Sequence, residues 1–243
     1  MKKLILFISI SLICIISTQG GNTKFELQTG VGVYNMSDLK DFNEAVPTNL
    51  LFDTKIVSNF PPYIYWRPSM TFYTGKMSFG FFLNLQSTGS RVSASDYSGE
   101  YCFDMRIKGY GLGLNVAYNI SNFSGFQVWS NLALGFNYTY LNMKEHFELL
   151  GSNYTDEKIN LNSYNGFIEP GVRFEYPLNK ITLPVINKCS LFLNVGYQFQ
   201  LLAKLVYYKK PENVYVDSWG YTMKPDWSGV RFALGISVPI SQF

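Results

Sequence analysis

The chain has few charged residues and, beyond its N-terminus, no long apolar run. Charged residues make up 15% of the 243 positions, well below the roughly 25% of ordinary soluble domains. A membrane-spanning helix needs about 20 consecutive apolar residues, and no such run follows residue 20. The net charge of +3 is too small to indicate a nucleic-acid partner. These scarcities argue against a helical membrane protein and against a nucleic-acid-binding domain.

Histidine and cysteine are also too scarce to form an evident catalytic or metal site. The only histidine, His146, lies in the segment KEHFE, where position 148 is Glu148, so the histidine-x-serine spacing of a lipid A deacylase is missing. A metal site needs more converging ligands than one histidine supplies. We therefore predict no catalytic residue, no metal ligand and no cofactor, and we expect His146 to be an exposed loop residue.

The N-terminus has the composition of a secretory signal peptide. Lys2 and Lys3 are followed by the apolar run Leu4–Ile16 and then by the small polar residues STQGG. Charge, apolar core and small residues in this order are typical of a cleaved export signal. We predict a signal peptide at residues 1–20 and one mature domain at residues 21–243.

What the chain has in abundance is aromatic residues, 17% of the total, in segments where apolar and small residues alternate. In GYGLGLNVAY (109–118), large apolar side chains occupy every second position, and glycine, asparagine or alanine occupies the others. This period of two is typical of a β-strand with two different faces. Seven segments alternate in this way, near residues 25–33, 77–86, 109–118, 128–140, 168–176, 191–201 and 230–240. An eighth strand is predicted at 62–73, which is aromatic on both parities and contains Arg67.

The connections between these segments alternate in length. The turns TGK and SNFSG are short, and a third connection, PLNKITLPVINKC, is longer. The other connections are long and polar, at residues 35–61, 87–104, 141–163 and 203–228. Each strand reaches the roughly 9–11 residues that a tilted membrane strand needs, and short turns opposite long loops are typical of outer-membrane barrels. We therefore predict an all-β fold, an eight-stranded antiparallel up-and-down transmembrane β-barrel with long extracellular loops.

The two faces of the strands predict two sets of residues. We expect the lipid-facing set to include Phe79, Phe81, Leu112, Leu114, Leu134, Phe136, Phe174, Leu193, Val195, Phe232 and Leu234. The opposite parity carries six charged residues, predicted to form a polar network in the barrel interior: Glu26, Arg67, Glu169, Arg173, Glu175 and Arg231. Charges in a narrow low-dielectric bore must pair or meet water. Two interpretations follow, an interior network that plugs the barrel and a narrow pore that passes small solutes, and the plug is favoured because side chains nearly fill an eight-stranded bore.

A soluble lipocalin-like barrel is the alternative fold, with the apolar face turned inward around a ligand. Phe79, Leu134 and Phe232 would then line the cavity. Two features disfavour it. The small-residue face is poor in charge for a water-facing surface, and the apolar face is denser in aromatics than a small cavity could hold.

With eight such strands, a signal peptide and a C-terminal phenylalanine, the chain resembles the eight-stranded outer-membrane barrel family that includes OmpA and OmpX. This resemblance covers nearly the whole mature chain. It implies that Phe243 is an assembly signal, although its odd parity differs from that of Val230 and Ile240 in the last strand. It also implies biogenesis partners, namely periplasmic chaperones and the barrel-assembly machinery.

The long connections carry turn sequences between apolar runs, KKPEN in 200–222 and DYSGE in 96–100. They predict either ordinary protective loops or strand hairpins that protrude from the barrel. An exposed strand edge can pair with an extracellular protein by strand addition. Cys102 and Cys189 fall at opposite ends of this topology, too far apart for the roughly 7 Å limit of a disulfide, and Cys14 lies in the signal segment, so we predict no disulfide.

The predicted function is that of a monomeric integral outer-membrane protein of a Gram-negative bacterium, surrounded by outer-membrane lipid and with no nucleic-acid partner. Its role would be non-enzymatic, as a structural, envelope-stabilising or adhesive surface protein. The alternatives are a narrow pore, a lipid-modifying outer-membrane enzyme and a soluble lipocalin-like binder.

Overall fold

The computed structural model describes the chain from residue 22 to residue 240, with several gaps. The described residues are 22–49, 53–97, 99–123, 125–149, 152–178, 189–208, 210–216, 220 and 222–240. The predicted signal peptide and Phe243 lie outside them, as do ten residues of the third short-side connection, 179–188. No helix within the described residues is long and apolar enough to cross a membrane.

Eight strands form a closed antiparallel ring, which confirms the predicted eight-stranded barrel. Around the ring these strands are β1 (Asn22–Tyr34), β3 (Tyr63–Thr74), β4 (Met77–Asp96), β5 (Gly99–Phe123), β6 (Phe126–Leu149), β7 (Ser152–Pro177), β8 (Ser190–Gln200) and β11 (Gly229–Pro239). The ring closes where β1 pairs with β11 from Lys24↔Pro239 to Tyr34↔Gly229. Closure gives every barrel strand two hydrogen-bonded neighbours, so the barrel has no free edge.

The strand register pairs outward-facing residues with outward-facing residues and inward-facing with inward-facing ones. The outer face and the inner face are therefore each continuous from strand to strand. On β5 and β6, Leu112 lies opposite Phe136 on the outer face, and Gly111 lies opposite Asn137 on the inner face. The inner glycines make room for a few large rings. A Cβ atom at Gly113 would come within 2.6 Å of the Phe82 ring. Phe82, which breaks the alternation of its strand in the sequence, is therefore an inward-facing ring packed on the glycine opposite.

Four strands are about twice as long as a barrel of this size needs. β4 to β7 contain 20 to 26 residues each, whereas a tilted membrane strand needs about 9–11. Residues 87–104 and 141–163 are therefore not irregular loops, and of the two interpretations of the long connections the protruding hairpins are confirmed there. They are continuous hairpins whose strands end at Asp96 and Leu149 and resume at Gly99 and Ser152. We call the protruding parts of these strands the extension, residues 87–96, 99–108, 141–149 and 152–162.

The other two predicted loops also contain regular structure. Residues 35–61 include the helix α1 (Ser37–Asn49) and the strand β2 (Lys55–Asn59), which pairs with the protruding part of β4. Residues 203–228 include β9 (Val206–Tyr207) and β10 (Lys210–Val214), and β9 pairs with the protruding part of β7. Polar composition alone did not predict these elements, because they form by packing on the extension.

The extension encloses a hydrophobic core of its own. Seventeen buried apolar residues form it: Tyr34, Met36, Leu39, Val46, Phe60, Val92, Tyr101, Phe103, Met105, Ile107, Leu141, Met143, Leu161, Leu205, Tyr215, Met223 and Trp227. Helix α1 contributes Leu39 and Val46, while Phe42 on the same face packs against Phe103 with ring centroids 6.0 Å apart. The structure therefore has two stacked parts, a barrel with a polar interior and an extension with an apolar one.

Candidate functional site

A cluster of four charges fills the bore near its short-turn end. Arg173 donates from both terminal nitrogens to the carboxylate of Glu26, at 2.8 and 2.9 Å. The same guanidinium lies 2.9 Å from Glu175, whose other oxygen accepts a hydrogen bond from Lys24 at 3.0 Å. The Tyr73 hydroxyl donates to Glu26 at 2.8 Å. Two cations and two carboxylates neutralise one another in this cluster, as buried charges must.

A second cluster lies farther along the bore and has an excess of positive charge. Arg67 forms a bidentate pair with Glu169, at 2.7 and 2.6 Å. Arg231 lies 3.4 Å from the same carboxylate and also donates to the side chains of Asn84 and Gln86. Planar guanidinium–carboxylate pairs of this kind combine charge with fixed geometry, so the cluster holds four strands of the barrel in one arrangement.

The structure thus brings together all six residues that the sequence suggested for the interior, in two clusters rather than one network. Sequence analysis missed Lys24, although it shares the inward parity of Glu26 and could have been found from that signal. It also missed the aromatic partners. The Arg173 guanidinium lies 3.8 Å from the ring centre of Phe192, and that of Arg67 lies 4.5 Å from the ring centre of Phe82. Such cation–π contacts compensate part of the lost hydration.

Little space remains between the two clusters. The cavity that Glu26, Arg67, Phe82 and Arg173 help to line has a volume of about 20 Å³. One water molecule needs roughly 10–15 Å³ by the same measure. Side chains therefore fill most of the bore at this level.

A cap segment, residues 223–228, closes the bore at its junction with the extension. The Trp227 side chain is fully buried, and its indole N–H donates to Thr139 at 3.0 Å. Its ring meets Tyr34 edge to face, with centroids 4.8 Å apart. The carboxylate of Asp226 accepts a hydrogen bond from the Asn35 side chain at 2.7 Å, which ties the cap to the end of β1. Nothing in the sequence signalled this role, because the segment lies between strands and has no periodicity.

The outer surface of the barrel carries a continuous apolar belt. Ten of the eleven residues suggested as lipid-facing expose between 40 and 71% of their surface, and Val195 is partly exposed. The ten are Phe79, Phe81, Leu112, Leu114, Leu134, Phe136, Phe174, Leu193, Phe232 and Leu234. Water-soluble monomers rarely expose apolar patches above a few hundred Å². A belt that encircles the barrel needs an apolar surrounding.

The outer face changes character at the extension. On β5 the exposed residues change from Leu112 and Tyr110 to Lys108 and Arg106. Farther out, Arg91 donates to Asp104 at 2.6 and 2.7 Å. These hydrogen bonds lower the pKa of the Asp104 carboxyl below its ordinary value. The outer face of the extension is therefore charged and suited to water, while its inner face is apolar.

No cluster of metal-ligating residues occurs in the described part of the chain, where no three His, Cys, Asp or Glu side chains converge. His146 lies on β6 and not in a loop as expected, and its Nε2 is 4.0 Å from Glu148 at the surface. No disulfide joins Cys102, on the extension, to Cys189, which is buried beside the start of β8. The predicted separation of the two thiols is confirmed.

These features define a closed eight-stranded barrel with an apolar outer belt, an ion-paired interior and a capped end. No family model and no curated protein matches the chain. Among solved structures, Neisserial surface protein A (NspA) is similar over 91% of this chain and 100% of its own, with 12% identity and a TM-score of 0.40. The outer membrane protein OprG from Pseudomonas aeruginosa is similar over 90% and 96%, with 15% identity and a TM-score of 0.44.

Ail, the attachment invasion locus protein of Yersinia pestis, is similar over 90% of this chain and 99% of its own, with 11% identity and a TM-score of 0.34. The strand pairing of the chain itself establishes the closed eight-stranded barrel.

Proposed function

We propose that this chain is an integral outer-membrane β-barrel protein of a Gram-negative bacterium, non-enzymatic and closed to solutes. In this role the barrel anchors the extension, which stands in water outside the membrane as a structural or adhesive surface. Sealing of the bore by the two charge clusters and by Trp227 is the observation that carries the proposal. Three features of the structure support it: the apolar belt, the filled bore and the edges of the extension.

The apolar belt supports a membrane location. Backbone polar groups cannot be left unpaired in hydrocarbon, so strands cross a bilayer only as a closed barrel. This barrel is closed from β1 to β11, and its outer side chains are those that lipid accepts. Charged residues begin on the outer face only where the strands continue into the extension.

The filled bore disfavours the alternative of a narrow pore. From the extension side, a solute would have to pass the buried Trp227, then the bidentate Arg67–Glu169 pair and then the cavity of about 20 Å³. Separating a buried ion pair costs several kcal/mol because each charge loses its partner in a low-dielectric site. A closed platform fits this arrangement better than a conducting channel.

The extension supports a surface role because it offers two sheet edges. Its strands are flanked by β2 on one side and by the β9–β10 hairpin on the other. β2 exposes Val57 by 62%, whereas β10 carries Pro211, whose missing N–H weakens strand addition. An extracellular partner that adds a strand would therefore use the edge of β2.

Two measurements test the proposal. The first compares gel mobility with and without boiling, after purification from outer-membrane fractions and refolding in detergent. A heat-modifiable band with β circular dichroism is expected. A chain that stays in solution without detergent would overturn the membrane location and favour the lipocalin-like alternative.

The second measurement is conductance in planar bilayers. The wild-type chain is expected to give no steady single-channel current. The Trp227→Ala variant removes the cap but leaves both charge clusters, and it should also stay silent. Steady channels in the wild type would overturn closure and establish the narrow pore, while channels only in Trp227→Ala would show that the cap, and not the clusters, seals the bore.

A further inference from the structure

The outer faces of β5, β6 and β7 carry a patch of cations directly beside the apolar belt. Its members, called here the cationic patch, are Arg106, Lys108, Lys144 and Lys158, all exposed. The strand pairing places them in adjacent rows. The rows read Lys108–Tyr140–Asn162, then Arg106–Asn142–Asn160, then Asp104–Lys144–Lys158.

Within the described residues the patch is neutralised only in part, because Arg106 and Lys144 share one carboxylate, Asp104, whose pKa they help to lower. Lys144 and Lys158 lie directly opposite each other on neighbouring strands, and like charges in that position are destabilising. Asp104 is the carboxylate of these rows, and Arg91 already holds it in a bidentate pair. The patch therefore keeps a net positive charge, to which an anion from outside the chain is complementary.

The position of the patch beside the apolar belt indicates which kind of anion it would bind. Next to it lies a row of three tyrosines, Tyr110, Tyr138 and Tyr164, and tyrosine is enriched where a barrel meets the lipid headgroups. Beyond the tyrosines come the apolar rows. Lys108 thus stands at the depth of lipid phosphates, about 13 Å from Leu112 along β5 at 3.3 Å per residue. Arg106 and the Lys144–Lys158 row lie farther out, about 20 and 26 Å from the Leu112 row by the same rise.

An apolar groove lies in the belt on the same strands, on the far side of the tyrosine row from the patch. It has a volume of about 580 Å³, and its outward-facing lining includes Leu112, Leu134, Phe136, Gly166 and Leu201. Gly166 lies opposite Phe136 on the outer face, and its missing side chain opens the groove. A surface with cations at one end and an apolar groove beside them is complementary to an amphiphile with an anionic headgroup and an apolar tail.

We propose that the outer face of β5–β7 binds a phosphate-bearing membrane lipid, with its headgroup on the cationic patch and an acyl chain in the groove at Gly166. This inference rests on the proposed membrane location and adds a specific lipid site to it. The occupant is a lipid and not free phosphate, because the patch and the groove lie on the same strands with the tyrosine row between them.

The test uses the full chain reconstituted in vesicles of equal phosphatidylcholine and phosphatidylglycerol. Gentle extraction followed by native mass spectrometry counts the lipids that stay bound. The wild type is expected to retain phosphatidylglycerol in excess. The double variant Lys108→Gln/Lys144→Gln should lose this preference by about fivefold for each lysine removed.

Two further variants separate the parts of the site. The double variant Lys55→Gln/Lys76→Gln removes the same charge from β2 and from the 75–76 turn, and it should keep the preference. Gly166→Leu fills the groove, where its Cβ would meet only the mobile end of Leu201 within 3.4 Å. This variant should retain fewer lipids of both kinds.

The outcomes are distinct. Equal retention of both lipids by the wild type, or an unchanged preference in Lys108→Gln/Lys144→Gln, would overturn the lipid site while insertion and heat modification persist. Displacement by inorganic phosphate with no effect of Gly166→Leu would show an anion site without a lipid and would also overturn it. Failure of the chain to insert would instead overturn the proposed function.

Discussion

The two halves of the long strands follow opposite rules on one continuous backbone. Along β5, Gly111 and Gly113 face the inside of the barrel while Leu112 faces out; a few residues earlier, Met105 and Ile107 face inside while Arg106 faces out. Odd-numbered residues of β5 face inward in both parts. Only the chemistry differs, because the apolar side chains face outward in the barrel and inward in the extension. The surroundings decide the pattern, since an apolar surrounding selects an apolar outer face and water selects a charged one.

The largest effect is expected inside the barrel, at the carboxylate shared by two arginines. Glu169→Ala would leave Arg67 and Arg231 buried without a carboxylate. It should lower the free energy of unfolding by about 3–5 kcal/mol. Urea titration in detergent, followed by loss of the heat-modifiable band, measures this change. The control Glu148→Ala changes a carboxylate at the surface and should have little effect. A loss below about 1 kcal/mol for Glu169→Ala would mean that water solvates the bore, which would revive the pore.

The next effect probes the apolar interior of the extension. Leu161 is fully buried there, and Leu161→Ala should cost about 2–5 kcal/mol through the cavity it leaves. The matched control is Leu112→Ala on the belt, where lipid or detergent replaces the lost side chain. Protease cleavage within the extension should accelerate for Leu161→Ala and not for Leu112→Ala. Equal protease sensitivity of the two variants would contradict an apolar core in the extension like that of a water-soluble domain.

A smaller effect probes the belt. Leu134→Arg places a charge on the outer face of β6 and should cost about 2–4 kcal/mol in a bilayer. Ser130→Arg lies on the same face four residues nearer the short turn, where the expected cost is about 0–1 kcal/mol. Unfolding in vesicles compares the two. Tolerance of Leu134→Arg equal to that of Ser130→Arg would place the belt in water.

The smallest effect concerns the ion pair on the charged face of the extension. Because hydrogen bonds from Arg91 lower the folded-state pKa of Asp104, the pair stabilises the fold above the unfolded pKa of about 3.9. This contribution is lost as the pH falls through the folded-state pKa. Asp104→Asn should therefore weaken the extension by about 0.2–1 kcal/mol at pH 7, and the difference should vanish at low pH.

The rates of protease cleavage of the wild type and of Asp104→Asn, compared between pH 7 and pH 3, measure that effect. Because both proteins have the same bore, the difference between their rates leaves out the effect of protonating the bore carboxylates. A difference that grows toward low pH would contradict the assigned pair.

The barrel itself could be predicted because its signal is local. Alternation at residues 109–118 and in six further segments identified seven of the ring strands, and parity alone separated Glu169 from Ile168. The extension was harder to predict from the sequence, because its apolar residues occupy the inward positions and not the outward ones. Phe103, Met105 and Ile107 share the parity of the inner glycines of the same strand. Without knowledge of where lipid ends, the change of polarity in 87–104 resembles a loop.

The sequence by itself determined the number of ring strands, the two faces of each strand and the absence of a disulfide between Cys102 and Cys189. A period of two needs no distant partner to be visible. Only the tertiary structure decided that the interior charges form two clusters, that Trp227 caps the bore and that α1, β2, β9 and β10 complete the extension. Those arrangements depend on which residues distant in the chain meet, and buried ion pairs and packed rings form only once the closed barrel brings them together.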